Sequence, residues 1–374
     1  MNSDVKLLSM RDALGQALVE FAPQIPELVV LDADVSSSTK TAAFAKAYPN
    51  RFFNVGVAEA NMADIAAGMA SAGLRPVINT FSLFLALKCA DQIRNTICYN
   101  NLPVVLAGAY GGLSDSYDGA SHQAILDIAM MRALPNMVVI VPADAVEMKQ
   151  ALALALKRNG PTFIRGCRNE TPILFENAAP LKLGIARKLR DGKDLTIATC
   201  GVPVVMAMEA AARLAKDGIE VDVLALATVK PIDEQALATS AAKTGLVLAI
   251  EEHNIFGGLG GAVAEAVAKH APAKMDFIGV QDRFTESGEY NALMKKYGIS
   301  VEAIVKKAKA LVASKPAGKP AAPKPAGKKI AAKPTAKKVT AKTVAKNVAK
   351  PVKKAAAKRA IPKKTTPKKA GRRR

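Results

Sequence analysis

Two short segments of this chain carry residues whose types and spacing could support proton transfer. Glu59 stands in the run V-G-V-A-E-A-N-M, where a short apolar strand passes into a helical pattern. His122 ends a Gly- and Ser-rich loop in the run D-G-A-S-H-Q, which also contains Asp118. A carboxylate can accept a proton or a hydrogen bond from a heterocycle, and an imidazole can exchange protons near neutral pH. Both segments are therefore candidates for a catalytic site.

The helix that follows Glu59 is rich in small residues. Its apolar residues recur at helical spacing from Ala60, and Gly73 is placed to end it. Ala and Gly along this helix would let another backbone or a flat ligand approach closely. A lone Glu in a first helical turn often does no more than complement the helix dipole. The small neighbours of Glu59 favour a ligand-binding role instead.

The segment around Glu59 resembles the pyrimidine-domain signature of transketolase-type thiamine diphosphate enzymes. The resemblance implies that Glu59 hydrogen-bonds the aminopyrimidine ring of thiamine diphosphate and helps to activate the cofactor. It also implies that Phe81 and Phe84, in the run T-F-x-x-F, stack around the same ring and that Asp34 faces the cofactor. Without the resemblance, two Phe three apart on one helical face are more often core residues.

The D-G-A-S-H-Q run resembles the transketolase loop that contacts the donor ketose. Asp118 and His122 are therefore implied to bind the sugar near its carbonyl and adjacent hydroxyl. The same resemblance implies four further substrate-binding residues: Arg11, Ser38, Arg165 and Arg168. From the residues alone, surface salt bridges are an equally good interpretation of Arg11 and Arg165.

Several positions depart from the transketolase pattern. The loop reads G-L-S-D-S-Y-D-G, where the family usually reads G-[IL]-[ST]-V-G-E-D-G, so the residues from Asp115 to Tyr117 differ. Tyr110 stands where transketolases commonly have a phosphate-binding His, and Leu87 stands where a further aromatic is common. We therefore expect intact cofactor chemistry and an altered substrate pocket.

A motif that thiamine diphosphate enzymes require is absent from the sequence. No Gly-Asp-Gly segment occurs to hold the divalent metal and the diphosphate. The resemblance covers about residues 9–310 and matches only the pyrimidine and C-terminal domains of the family. We therefore expect no metal site in this chain, Mg²⁺ or a similar ion on a separate N-terminal transketolase subunit, and a heterotetramer of the two. The expected reaction is transfer of a two-carbon ketol unit between sugars, with sugar phosphates as substrates.

Other functions remain open. The runs G-L-R-P-V and D-Q-I-R-N also suggest the β subunit of a 2-oxo acid dehydrogenase, although the D-G-A-S-H-Q loop favours transketolase. Synthase chemistry of the deoxyxylulose phosphate type, which joins pyruvate to an aldehyde, is a second alternative. A function of another class is nucleic-acid binding through the basic C-terminal segment.

Strand and helix patterns alternate with short connections, which predicts an α/β fold of two doubly wound domains. We place the pyrimidine-binding domain at residues 1–175, a linker at 176–192 and the C-terminal domain at 193–313. Residues 81–99 are expected to form one helix. The run E-E-H-N-I-F-G-G-L-G-G (residues 251–261) is expected to serve folding and assembly, because its glycines permit a tight strand-to-helix turn.

The charge of the 374-residue chain is concentrated at one end. The formal net charge is +21, yet residues 315–374 hold 22 Lys and Arg and no Asp or Glu, which leaves 31 basic and 32 acidic residues elsewhere. We name residues 314–374 the basic tail and expect it to be disordered. Residues 315–374 are expected to bind nucleic acid without sequence preference, unless they serve only as a solvated solubility tail.

The four cysteines show no paired metal-ligand spacing and lie in apolar contexts. Buried free thiols are the expected state, which is typical of a reducing cytoplasm. The first residues do not resemble a signal peptide, and no apolar run is long enough to span a bilayer. A cytoplasmic protein without a membrane partner is the prediction.

Overall fold

Two sheets of mainly parallel strands organise the computed structural model, which describes residues 6–315. They confirm the predicted α/β fold. The described strands are β1 (Leu7–Ser9), β2 (Leu28–Asp32), β3 (Phe52–Asn54), β4 (Arg75–Phe81), β5 (Val105–Ala109), β6 (Val138–Ile140), β7 (Thr162–Arg165), β8 (Glu170–Pro172), β9 (Arg187–Arg190), β10 (Leu195–Thr199), β11 (Val221–Ala225), β12 (Thr228–Lys230), β13 (Leu246–Asn254) and β14 (Lys274–Val280).

The helices connect these strands and cover the sheets. They are α1 (Met10–Phe21), α2 (Ser36–Thr39), α3 (Ala42–Ala47), α4 (Glu59–Ser71), α5 (Ser82–Lys88), α6 (Ala90–Gln92), α7 (Asp127–Ala133), α8 (Ala145–Lys157), α9 (Pro203–Lys216), α10 (Glu234–Thr244), α11 (Leu259–His270), α12 (Tyr290–Lys296) and α13 (Val301–Ala313). Within residues 6–315, none is long and apolar enough to cross a membrane.

The first sheet has the strand order β12-β6-β7-β5-β4-β2-β3, and all of its pairs are parallel except β12 with β6. Its central strands are apolar on both faces. In β2, Leu28 and Val30 pack in one hydrophobic cluster, whereas Val29 and Leu31 pack in another. Because helices cover both faces of a parallel sheet, such strands read as continuous apolar runs.

The second sheet has the order β14-β13-β10-β11-β9 and is parallel except for β9, which runs antiparallel to β11. Strand β9 lies inside residues 176–192, so that segment is more than a linker. Its sequence R-K-L-R is charged because it forms a sheet edge, where basic side chains are common. Because most of its residues are charged, the pattern of apolar residues does not predict this strand.

The two sheets belong to one compact unit. Strand β12 follows β11 in sequence, but it pairs with β6 of the first sheet. A separate antiparallel pair, β1 with β8, lies outside both sheets. All four cysteines are free and buried, as expected. The basic tail lies outside the described residues, apart from Ser314 and Lys315.

The prediction of one helix over residues 81–99 is wrong, because the segment is divided into several elements. Phe81 instead ends β4, where it pairs with Ala109 of β5. Helix α5 stops at Lys88, a short α6 follows, and Ile93–Cys98 form a π-helix. Apolar spacing continues through all of these pieces, so the sequence pattern could not separate them.

Candidate active site

The residues singled out from the sequence gather at one edge of the first sheet. Strands β2, β4, β5 and β7 are neighbours and parallel, so their carboxyl ends lie side by side. Asp34 follows β2, Phe81 ends β4, Tyr110 follows β5 and Arg168 follows β7. Ligands of open α/β sheets bind outside the carboxyl ends of the strands. This edge is therefore the candidate active site.

Glu59 is the first residue of α4, and only 5% of its surface is exposed. The Lys88 ammonium donates to its Oε1 at 2.8 Å and lies 3.8 Å from the centroid of the Phe84 ring. Ala58 provides no side-chain cap to the helix, so Glu59 is the acidic group of this helix end. A helix N-terminus and an ammonium both interact favourably with a carboxylate. Sequence reasoning missed Lys88, although it lies one helical turn beyond Phe84.

An aromatic cluster lies beside Glu59. The Phe81 ring stacks on the Tyr110 ring with a centroid distance of 4.5 Å and lies 5.7 Å from the Phe84 ring. His122 meets Phe84 edge-on at 5.1 Å. The two Phe are therefore brought together as predicted, but not on one helical face, because Phe81 belongs to β4. Leu87 is half exposed and, with Leu83, borders a groove of about 380 Å³ that Ser121 and Gln123 also line.

Asp118 and His122 lie on the loop of residues 111–124, which we name the active-site loop. Gly112 and Ala124 exchange backbone hydrogen bonds of 3.1 and 2.9 Å and close the neck of this loop. The His122 Nδ1 atom lies 2.9 Å from Ser121 Oγ, and the Asp118 side chain is 52% exposed. Both candidate groups can therefore meet a ligand at the sheet edge.

Tyr110 packs against the guanidinium groups of Arg11 and Arg168, and we name these three residues the cationic pocket. The guanidinium carbons of Arg11 and Arg168 lie 5.1 and 4.9 Å from the centroid of its ring. Arg11 also donates to the Tyr110 hydroxyl at 3.0 Å and to the Ser38 carbonyl oxygen at 2.6 Å. Tyr110 has a φ of +60°, which is uncommon for a bulky residue and costs conformational energy. The surroundings therefore hold the backbone of Tyr110 in a strained conformation.

Asp115, one of the residues that depart from the transketolase loop, is buried next to this pocket. Its Oδ1 accepts from Arg168 Nη1 at 2.9 Å, and Asp118 Oδ2 lies 3.8 Å from the same nitrogen. Burial raises the pKa of Asp115 to about 7, with a further contribution from Asp118, while Arg168 acts in the opposite direction. Near neutral pH, the charge that faces Arg168 therefore depends on pH.

The remaining candidates occupy different positions. Asp34 is exposed, has a φ of +65° and accepts a hydrogen bond from Asn54 Nδ2 at 2.8 Å. Ser38 contributes its backbone carbonyl to Arg11, as described above. Both residues lie at the same sheet edge as Glu59.

Arg165 does not enter the pocket. Its two interpretations from the sequence were sugar phosphate binding and a surface salt bridge, and both need correction. Its side chain is only 6% exposed and donates to Asp127 Oδ2 at 2.7 Å. It also donates to the carbonyl oxygens of Ala124 and Glu252, each at 2.9 Å. The guanidinium thus joins the first sheet to the second by hydrogen bonds from Nε and Nη2.

The residues present fit the aminopyrimidine half of thiamine diphosphate. The Lys88 ammonium contacts both the buried Glu59 carboxylate and the Phe84 ring, and the Phe81 ring lies beside Phe84, so an acceptor and apolar ring surfaces lie together. Within residues 6–315, no group of three or more His, Cys, Asp or Glu could hold a metal ion.

Comparison with known proteins identifies two domains. Residues 6–173 match the transketolase pyrimidine-binding domain, and residues 184–304 match the transketolase C-terminal domain. A protein of Methanocaldococcus jannaschii named as a transketolase C-terminal section is 42% identical over 80% of this chain and 94% of its own length. A 6-deoxy-6-sulfo-D-fructose transketolase subunit of a Clostridium species is 36% identical over 80% of this chain and 93% of its own length.

Further relatives include enzymes of a second reaction. A 1-deoxy-D-xylulose-5-phosphate synthase of Symbiobacterium thermophilum is 34% identical over 82% of this chain, which spans about half (47%) of that enzyme. A solved structure described as a split gene transketolase, inactive β4 tetramer, is 42% identical with a TM-score of 0.75, over 82% of this chain and 98% of that one. The two matched domains imply use of thiamine diphosphate. The chain belongs to the transketolase family.

Proposed function

We propose that this chain is the pyrimidine-side subunit of a split transketolase, which transfers a two-carbon ketol unit between sugar phosphates. The observation that carries the proposal is the convergence of Glu59, the Phe81 and Phe84 rings and His122 at one sheet edge. The family membership and the resemblance to transketolase C-terminal sections support it.

Thiamine diphosphate, when bound, would supply a carbon nucleophile for the ketose carbonyl. Glu59 would hold the aminopyrimidine ring by a hydrogen bond at a ring nitrogen, and Phe81 and Phe84 would pack against the ring. Asp34 would face the same cofactor. The Glu59 side chain is buried, and the exclusion of water strengthens its hydrogen bond. This part of the site orients the cofactor.

The substrate side would be formed by the active-site loop and the cationic pocket. His122 would donate a proton to, or accept one from, the oxygen at the reacting carbon, and Asp118 would bind the neighbouring hydroxyl. Arg11 and Arg168 would hold the distal phosphate, with Ser38 beside it. Guanidinium groups suit phosphate because they donate paired hydrogen bonds in one plane.

A separate N-terminal subunit would hold Mg²⁺ and the diphosphate and would complete a heterotetramer. The absence of Gly-Asp-Gly from the sequence supports this division, as does the related structure described as an inactive β4 tetramer. The chain by itself is then expected to bind thiamine diphosphate weakly. Calorimetry on the purified chain measures this, and magnesium-dependent binding with a Kd near 1 μM, about −8 kcal/mol, would contradict it.

Reconstitution tests the whole proposal. The chain is coexpressed with an N-terminal subunit that carries Gly-Asp-Gly, and transfer from a ketose phosphate to an aldose phosphate is followed by mass spectrometry. His122→Ala should lower turnover about a hundredfold or more, since a positioned acid–base group typically contributes that much. A turnover within twofold of wild type would remove His122 from the mechanism. Decarboxylation of a 2-oxo acid without ketose cleavage would instead indicate a dehydrogenase β-type subunit.

The synthase reaction is a second candidate, because synthases of 1-deoxy-D-xylulose 5-phosphate are 34% identical over most of this chain. The same reconstituted complex distinguishes the two reactions. Release of CO₂ from pyruvate together with a new ketose phosphate would favour the synthase, whereas consumption of one ketose and formation of another favours transketolase.

We also propose that residues 315–374 bind nucleic acid without sequence preference. The proposal is supported by the 22 basic residues of this segment and by the absence of Asp and Glu from it. Such a segment neutralises phosphates and releases their counterions. This role is additional to catalysis.

A further inference from the structure

The active-site loop is fixed at its neck by two side chains outside it. Arg165 donates to the Ala124 carbonyl oxygen at the end of the loop. At the start of the loop, the Leu113 amide donates to Glu252 Oε1 at 2.7 Å. Glu252 lies on β13 of the second sheet, so the second domain contributes directly to the conformation of the loop that carries Asp118 and His122.

The Glu252 carboxylate is enclosed on every side. Only 3% of the residue is exposed, and the Tyr290 hydroxyl donates to its Oε2 at 3.0 Å. Gly112 has a φ of +63°, and any side chain there would collide with this carboxylate. Gly112 thus provides both the turn and the space that bring Leu113 onto Glu252. A buried amide that loses its acceptor destabilises the local structure.

The second domain also holds the middle of the loop. The Gly288 amide donates to the Ser116 carbonyl oxygen at 3.0 Å. Gln123 Nε2 donates to the Glu286 carbonyl oxygen at 3.0 Å, and its Oε1 accepts from the Thr285 hydroxyl. These contacts come from the segment that precedes Tyr290, which itself binds Glu252. The loop is therefore packed on one continuous part of the second domain.

We propose that Glu252 is a positioning residue, which holds Leu113 and thereby sets the active-site loop so that Asp118 and His122 face the substrate. The kinetic consequence of this inference rests on the proposed function. The effect of Glu252 on the conformation of the active-site loop does not. The inference assigns a task in catalysis to the E-E-H segment, which the sequence analysis assigned mainly to folding and assembly.

The burial of Glu252 raises its pKa to about 7, while Arg165, the Leu113 amide and Tyr290 act in the opposite direction and Asp127 adds to the rise. Either protonation state keeps an acceptor oxygen for Leu113. A glutamine side chain also has an acceptor oxygen, so Glu252→Gln should preserve the hydrogen bond from the Leu113 amide. Methionine has nearly the same shape and no comparable acceptor, so Glu252→Met should break this hydrogen bond.

The neighbouring glutamate offers a matched control. Glu251 lies on the same strand and is 2% exposed, but its oxygens accept from the Leu259 and Gly260 amides at 2.7 and 2.8 Å and cap α11. Glu251→Met therefore removes a buried carboxylate of equal size without touching the active-site loop.

Hydrogen–deuterium exchange of the full chain, read by mass spectrometry, gives the first test. Glu252→Met should accelerate exchange in peptides that contain Leu113 at least tenfold, which corresponds to about 1.4 kcal/mol. Glu252→Gln and Glu251→Met should leave these peptides as in wild type. Should the Met variant fail to fold, Glu252→Asp decides, because its carboxylate is too short to reach Leu113. Unchanged loop exchange in a folded variant, or equal acceleration in Glu251→Met, overturns the proposal.

Kinetics of the reconstituted complex give the second test. Glu252→Met should raise KM for the ketose and lower kcat by a combined tenfold to hundredfold, the order expected when reacting groups are misplaced. Affinity for thiamine diphosphate should stay the same, and Glu252→Gln should restore both constants. If exchange responds but wild type shows no ketol transfer, the positioning role stands and the proposed function fails. If wild type is active and neither readout responds, the positioning role is wrong.

Discussion

Individual charges in the candidate site already have partners of opposite sign. Lys88 donates to Glu59, and Arg168 donates to Asp115. A ligand that binds here must exchange these ion pairs for its own contacts. Separation of an ion pair costs most when one partner is buried, as Glu59 and Asp115 are, so the ligand must replace the lost partner. The two pairs therefore make distinct predictions.

Replacement of Glu59 by Gln should remove the ionised acceptor at the start of α4 and lower turnover by at least about a hundredfold. The fold should persist, because Gln can keep one hydrogen bond in the same space. Turnover of the reconstituted complex and thermal unfolding of the chain measure the two effects. Asp64→Asn, an exposed change on the same helix, is the control. Equal turnover in Glu59→Gln and Asp64→Asn would refute the role of Glu59.

Asp115 should control the affinity of the cationic pocket for anions. Because its pKa is about 7, Asp115 is mainly neutral at pH 6 and mainly ionised at pH 8. The ionised form compensates Arg168, so KM for a phosphorylated ketose should rise with pH across this range. Asp115→Asn should lower KM at pH 8 roughly fivefold, which corresponds to about 1 kcal/mol, the order of one hydrogen bond.

Ionisation of the substrate phosphate also occurs near pH 6, so the comparison is made between wild type and Asp115→Asn at each pH. The phosphate contributes equally to both proteins. An identical pH dependence of KM in the two would show that Asp115 does not face the anion.

Local patterns predicted the candidate residues but not their partners. Glu59, Phe84 and His122 stand in short runs that resemble transketolase motifs, so each could be proposed from the sequence. Lys88 lies 29 positions from Glu59, and its contact depends on how α4 packs beside α5. A pattern within one element contains no information about such a pair.

Among the elements, α5 has the most demanding position, because it carries both Phe84 and Lys88. The Ser82 hydroxyl donates to Asp127 Oδ2 at 2.5 Å at its first turn, and Arg165 donates to the same oxygen. The start of this helix is thus attached to α7 and β7 by one buried carboxylate. The predicted helix over residues 81–99 missed this attachment, because helical periodicity does not show where a strand gives way to a helix.

Loss of Arg165 should therefore reduce stability rather than substrate affinity alone. Arg165→Met leaves Asp127 buried without its cation, which typically costs about 3–5 kcal/mol. Urea unfolding of the chain measures the change. Lys149→Met, which removes an exposed ion pair with Glu20, should cost less than about 1 kcal/mol. Wild-type stability of Arg165→Met together with a raised KM would return Arg165 to the substrate site.

On the scale of the whole molecule, the two domains are less separate than their sequence patterns suggest. Strand β12 and Glu252 both come from the second half of the chain, and both contact the first domain. Alternating strand and helix patterns predicted each α/β domain, because each pattern is local. The contacts between the domains join residues far apart in the sequence, such as Arg165 and Glu252, which are 87 positions apart, so the local patterns could not predict them.

The charge division of the molecule leads to the last prediction. The last described residues still contact the folded part, since Ser314 accepts from Lys274 at 2.9 Å and Lys315 donates to the Thr244 carbonyl oxygen at 2.8 Å. Truncation after Lys315 keeps these contacts and removes 21 Lys and Arg. We expect the truncated chain to lose affinity for duplex DNA and to keep full turnover with its partner subunit.

Gel shifts over a salt series compare the full and truncated chains. For the full chain, the logarithm of the association constant should fall with the logarithm of salt concentration, with a slope of about −0.9 for each phosphate contacted. Residues 315–374 contain no Phe, Tyr or Trp, so single strands should gain nothing from stacking on aromatic side chains. Competition with polyglutamate separates nucleic acid from polyanions in general. Lost turnover after truncation would refute the expectation that residues 315–374 are dispensable for catalysis. Equal DNA affinity of both chains would refute nucleic-acid binding by these residues, because charge neutralisation is the only recognition that their composition supports.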